Sequence, residues 1–201
     1  MARKNAIITW ALAARIYGDK SAFLGCGFLG FQDTLWDARG RHYFNDTYIE
    51  GGIDFIWGNG QSVYENFRIN VTSGLLLPQG NNGFITAQGR KSAYEPTGFV
   101  FRRGIVSGTG QAFLGRAYGP YSRVIFHETT MSNVVDPNGW FAWYYQGKED
   151  KITYAEVNCS GPGSNTSMRV KWMKKLSPLD LSQYSTSEFI NQDGWLNRLP
   201  S

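Results

Sequence analysis

Apolar residues spaced two apart, with glycine or polar positions after them, recur along most of the chain. That is the period of half-buried β-strands and not of helices. The pattern also repeats as a block. Phe23, Cys26, Phe28, Gly30, Asp33, Leu35 and Trp36 return 21 residues later as Phe44, Thr47, Ile49, Gly51, Asp54, Ile56 and Trp57. The start of the block returns at Tyr64, Phe67 and Ile69, at Phe101, Gly104 and Val106, and at Phe126, Thr129 and Met131, after steps of 20, 37 and 25 residues. Repeats of about 20 residues built from short strands predict a parallel β-helix, in which each coil buries its inner face against its neighbours. A sandwich of hairpins would not explain why a seven-position pattern recurs in register.

The 37-residue step holds two turn-rich stretches, Pro78-Gln-Gly-Asn-Asn-Gly83 and Ser92-Ala-Tyr-Glu-Pro-Thr-Gly98, so loops are expected to protrude there. After Trp172 the repeat stops. Residues 177–190 read as a helix or an extended cap, with Trp195 docking near the end; such a cap would cover the open strand edges of the last coil. The whole chain, 1–201, is thus expected to be one β-helix domain with 173–201 as its cap or tail. At the other end, Asn5–Ala14 is apolar behind a basic start. A strand is favoured there over a short signal peptide, the alternative reading.

Composition narrows this picture only a little. Aromatics make up 15% and glycine contributes 24 of 201 residues, which suits strands and turns. No apolar run reaches the roughly 20 residues of a membrane span. Cys26 and Cys159 are the only cysteines, which excludes a disulfide framework and a cysteine-rich zinc site. The net charge of +4 suits an acidic partner, either nucleic acid or an acidic polysaccharide. The basic residues are scattered, so no nucleic-acid site is expected.

The chemistry is in the repeat itself. Asp33 and Asp54 occupy the same position of adjacent coils, which lie about 4.8 Å apart. Two carboxylates that close cannot both ionise freely, so one is expected to stay protonated toward neutral pH and the pair could supply an acid and a nucleophile or base. From spacing alone, aspartates that merely follow glycine in turns remain an equal alternative. Trp36 and Trp57, three residues after each aspartate, would stack as a platform for sugar rings. Gln88 is expected to make hydrogen bonds within a coil, and His42 and His127 to be surface or packing residues.

The segments Gly30-Phe-Gln-Asp-Thr-Leu-Trp36 and Gly51-Gly-Ile-Asp-Phe-Ile-Trp-Gly58 resemble the two aspartate motifs of plant pectin methylesterases. Ile85-Thr-Ala-Gln-Gly-Arg90, Leu114-Gly-Arg-Ala-Tyr118, Gly139-Trp-Phe-Ala-Trp143 and the stretch from Gly161 to Trp172 are similar to further signatures of that family, in order. The resemblance runs from about Ala14 to the end. It implies a right-handed parallel β-helix that hydrolyses galacturonate methyl esters of pectin to methanol and acidic pectin. It casts Asp54 as nucleophile, Asp33 as acid and then base, Gln32 as oxyanion donor and Arg116 as the cation that orients Asp54. Trp57, Tyr118, Trp140 and Trp143 would line the sugar cleft. No metal or organic cofactor is implied. The partner is methyl-esterified homogalacturonan, with a proteinaceous pectinesterase inhibitor as candidate protein partner. The location is extracellular, in the plant cell wall. No catalytic histidine motif favours a polygalacturonase, and no acidic cluster favours a calcium-dependent lyase.

The chain departs from the family in three ways. Trp10 stands where a second oxyanion glutamine is usual, a loss that typically costs on the order of a hundredfold to a thousandfold in rate. Tyr118 replaces the usual tryptophan after Leu-Gly-Arg, and Trp57 replaces a phenylalanine. The early coils of the family are absent, which predicts association through the open first coil. The alternative reading is therefore a truncated, catalytically impaired pectin-binding relative.

Overall fold

The computed structural model describes residues 10–199. Three parallel sheets run the length of the molecule, and the chain visits them in rotation. The first contains Ala14–Tyr17, Leu35–Arg39, Ile53–Gly58, Gly83–Gln88, Ala112–Ala117 and Trp140–Phe141. The second contains Ser21–Leu24, Arg41–Asn45, Gln61–Glu65, Gly98–Arg102, Arg123–His127 and Thr153–Val157, and the third Gly27–Leu29, Tyr48–Gly51, Arg68–Val71, Ile105–Gly108 and Thr130–Met131. This is the parallel β-helix that the repeat predicts. Its strand register is the sequence repeat: Phe23 pairs with Phe44, Phe28 with Ile49, and Trp36 with Trp57.

Identical positions on successive coils stack their side chains. Phe23, Phe44, Tyr64, Phe101 and Phe126 form one continuous column inside the second sheet, with successive ring centroids 5.1, 4.3, 4.5 and 4.5 Å apart. Each parallel-stacked ring buries its faces against the next, so the column contributes both apolar burial and ring–ring attraction. The corner between the second and third sheets turns on one left-handed residue per coil: Gly25, Asp46, Asn66, Arg103, Glu128 and Asn158. That conformation reverses the chain without a long loop, and it favours glycine, Asp and Asn. His42 lies buried against this core, hydrogen-bonded to Asp37, which also accepts from the Tyr64 hydroxyl at 2.7 Å. It is a packing residue.

Two loops interrupt the third copy of the coil, as the turn-rich stretches predict. Ser73–Leu76 forms a single helical turn before Gly83–Gln88, and residues 89–97 leave the coil before Gly98–Arg102. Residues 5–9 of the apolar start lie outside the described residues. The next residues follow the coil above them, with Ala11 and Ala13 N–H groups donating to Gln32 and Thr34 carbonyls.

The tail does not cap the end of the helix. The last coil is covered by residues 161–174, where Arg169 forks onto Glu156 and Trp172 packs on Tyr154. Residues 178–199 instead turn back along the outer face of the second sheet. Phe189, Ile190 and Trp195 bury themselves against Val63 and Val100, and Asp193 bridges Lys20 and Arg41. The outward positions of that sheet are apolar, so the strap hides a flank, not an edge.

Candidate active site

Asp33 and Asp54 sit at the corner where the third sheet passes into the first, and both have left-handed backbones, with φ of 59° and 47°. The glycines before them make this corner possible: a Cβ at Gly51 would lie 2.2 Å from the Phe55 side chain, and one at Gly52 2.5 Å from the Phe31 ring. The left-handed turn is not diagnostic by itself, because Asp46 and Asn66 adopt it elsewhere for purely structural reasons.

What distinguishes Asp54 is its partner. It is 6% exposed, and Arg116 donates to both of its oxygens, Nε to Oδ1 at 2.7 Å and Nη2 to Oδ2. Arg116 belongs to an outward ladder of paired positions, Arg15, Trp36, Trp57, Ala87 and Arg116. The small Ala87 between Trp57 and Arg116 leaves room for the guanidinium to reach back toward Asp54. The guanidinium is held over the Trp143 ring at 3.9 Å and the Phe84 ring at 4.3 Å. A planar fork clamped between rings fixes the carboxylate bidentately, which a lysine could not do.

The two carboxyls are pushed unequally. Burial, then the neighbouring Asp54, raises Asp33 to about 6, while Arg116 pulls it down. Burial also raises Asp54, and the fork of Arg116 opposes this directly by bonding to the charged form. When the two carboxyls share one proton, the fork on Asp54 favours the charge there and the proton on Asp33. Gln32 is half-buried beside them, bridged to Ile53, and its side-chain amide makes no hydrogen bond among the described residues.

Aromatic rings extend from the carboxyls along the first sheet. Trp36 and Trp57 stack at 4.5 Å, Trp57 lies 6.2 Å from Tyr118, and Tyr118 5.5 Å from Trp143. Tyr118 is half exposed, so this wall is accessible. Trp140 is not part of it, contrary to expectation. It is 1% exposed, stacks on Tyr154 at 4.5 Å and donates to Glu156, so it belongs to the core. Gly115 explains the inward packing: a Cβ there would lie 2.3 Å from Thr86 and 3.3 Å from the Trp140 ring.

Gln88 is buried, accepts from the Arg90 and Arg123 N–H groups and donates to Asn59, as expected of a coil-internal residue. His127 is buried away from the carboxyls, and its imidazole is lowered by burial. Trp10 is 73% exposed. Phe84, which clamps Arg116, escapes sequence reasoning. It is the counterpart of Ile53 one coil on, but the loop at 72–82 and a register shift hide the correspondence.

Comparison with known proteins places the sequence and the fold in one family. Residues 5–193 match the pectinesterase family model. Probable pectinesterase 55 of Arabidopsis thaliana is 54% identical over 94% of this chain and 57% of its own length. Probable pectinesterase 29 of the same plant is 50% identical over 96% of this chain and 57% of its length. Pectin methylesterase from carrot superposes with a TM-score of 0.87 at 31% identity, over 95% of this chain and 63% of that one. The chain therefore spans under three fifths of the length of these Arabidopsis relatives. It belongs to the pectinesterase family.

Proposed function

We propose that the chain is a pectin methylesterase, a carboxylic ester hydrolase that releases methanol from galacturonate methyl esters, with residues 1–201 acting as one catalytic unit. The observation that carries this reading is the buried Asp54 held bidentately by Arg116, one coil from a carboxyl raised to about 6. Ionised Asp54 attacks the ester carbonyl carbon, and the negative charge moves to the carbonyl oxygen, where the free amide of Gln32 donates. Collapse of the tetrahedral adduct expels the methoxy oxygen, which takes the proton of Asp33 and leaves as methanol. Asp33, now a carboxylate, removes a proton from water as the water attacks the acyl–Asp54 anhydride. Free acid is released, Asp54 is restored as a carboxylate, and Asp33 is again protonated. Arg116 keeps Asp54 aimed and charged, and Trp57, Tyr118 and Trp143 line the cleft that takes the sugars.

The expected substrate is methyl-esterified homogalacturonan of the plant cell wall, met outside the cell, with a proteinaceous pectinesterase inhibitor as a candidate partner. The second reading, a pectin binder without turnover, is favoured by Trp10 at the position of a second oxyanion donor. Asp54→Asn separates the two: the esterase reading requires the variant to lose methanol release, whereas a binder gives the same background from both chains.

A further inference from the structure

Among the described residues, Trp143 is the only aromatic with a left-handed backbone, at φ of 52°. The other non-glycine residues in that region are polar or charged, and Asp46, Asn66, Arg103, Glu128 and Asn158 recur at one corner of the coil. Trp143 belongs to no such corner. A bulky ring is disfavoured in this conformation and persists only where its surroundings hold it. Here they do. Trp140 is locked in the core three residues earlier, and Ala142 is buried. The Tyr145 N–H donates to the Ala142 carbonyl at 3.0 Å and closes a tight turn around Trp143.

The turn delivers the indole to one target. Trp140 and Phe141 pair with Gly115 and Arg116, so the chain leaves the sheet next to the strand that carries the guanidinium. That guanidinium lies 3.9 Å over the Trp143 ring. Tyr144 stacks on the same ring at 4.4 Å, with 26° between the planes, and does not itself meet the guanidinium, so it covers the opposite face. Both faces of the indole are taken. An edge remains toward Tyr118, 5.5 Å away.

The ring on the other side of Arg116 is backed in the same way. Phe84 lies 4.3 Å from the guanidinium, stacks on Phe113 at 5.4 Å and sits 5.9 Å from Phe141. Among the described residues Arg116 forms its ion pair with Asp54 alone. Apart from Asp54 itself, the rings are therefore what aims the fork.

We propose that Trp143 is a positioning residue: its left-handed turn presses the indole onto the Arg116 guanidinium, which in turn holds the Asp54 carboxylate in place. This differs from a sugar platform, which needs an open ring face. A ring that only binds substrate changes affinity, whereas a ring that aims the fork changes the carboxylate. Burial raises Asp54 and the bonds from Arg116 oppose it, so a loosened fork lets Asp54 move further up. The consequence for turnover rests on the esterase reading. The hold on Asp54 does not.

The test compares the full chain with Trp143→Ala, Trp143→Gly and Trp143→Phe. Carboxyl NMR follows the titration of Asp54, identified by the signal that Asp54→Asn lacks, beside thermal unfolding and methanol release from methylated pectin. The Asp54 titration should rise by about one pH unit in the Ala and Gly variants and return toward the parent in Trp143→Phe, which keeps a ring over the guanidinium. In the same two variants kcat should fall about tenfold, with KM changed far less. Trp143→Gly, which takes the left-handed backbone freely, should unfold at a higher temperature than Trp143→Ala. If neither folds, Tyr144→Ala, which strips the backing ring from a position 78% exposed, must move Asp54 in the same direction. An unmoved Asp54 in folded variants, with KM raised and kcat kept, makes Trp143 a sugar contact and overturns the proposal. Trp143→Ala unfolding at or above the temperature of Trp143→Gly overturns the strained turn. An Asp54 shift in variants of a parent that releases no methanol upholds the positioning role and sinks the esterase reading.

Discussion

A carboxylate 6% exposed is costly unless something bonds to its charged form, and at Asp54 that partner is a guanidinium clamped between Trp143 and Phe84. Arg116→Lys keeps the charge but loses the fork and much of the ring contact. Removal of one charge-assisted bond costs roughly 1.5–3 kcal/mol, so methanol release should fall about ten- to a hundredfold, mainly in kcat. Unchanged kcat would mean that the fork is only structural. Asp33 makes a separate prediction about stability. Its folded pKa of about 6 lies above the ordinary 3.8, so between those values the folded chain holds a proton that the unfolded chain has released. Stability from this group is therefore full at low pH and is lost as pH rises through about 6. Asp33→Asn removes that loss: thermal unfolding should show the variant gaining on the parent between pH 4 and 7. A variant that instead loses ground to the parent as pH rises would contradict the assignment. Because Asp54 contributes to raising Asp33, Asp54→Asn should shift the Asp33 titration downward, which carboxyl NMR can follow.

The coil is the element that sequence reasoning recovers best, and the reason is geometric. A fixed step of 20 or 21 residues puts like side chains directly above one another, so Phe23, Phe44 and Tyr64 can be read as one column before any coordinates are known. Phe101→Ala cuts that column between Tyr64 and Phe126 and should destabilise the chain by about 3–5 kcal/mol, measured by denaturant unfolding. A cost under 1 kcal/mol would show that the column is not a cooperative core. The periodicity fails where an element is too short to alternate. Trp140–Phe141 is a two-residue strand, so nothing in its sequence says that Trp140 turns inward and Phe141 outward. The carboxyl pair was legible from the repeat, and Arg116 from its motif. Phe84 was masked by the preceding loop. The direction of the tail depends on the outward faces of Val63 and Val100, which an alternating pattern leaves ambiguous between solvent and a covering segment.

At the scale of the whole molecule, the strands Ala14–Tyr17, Ser21–Leu24 and Gly27–Leu29 are each paired on one side only among the described residues. Leu24 and Leu29 are 50% and 62% exposed beside these edges. Open parallel edges with apolar neighbours template further pairing. The same end of the molecule also bears Trp10, so the proposed turnover would have Gln32 as its oxyanion glutamine. The most direct measurement is methanol release from highly methylated pectin by the purified chain, beside Asp54→Asn, with folding of both checked by circular dichroism. The account predicts release by the parent and its loss in the variant. Equal background release from two folded chains would contradict it.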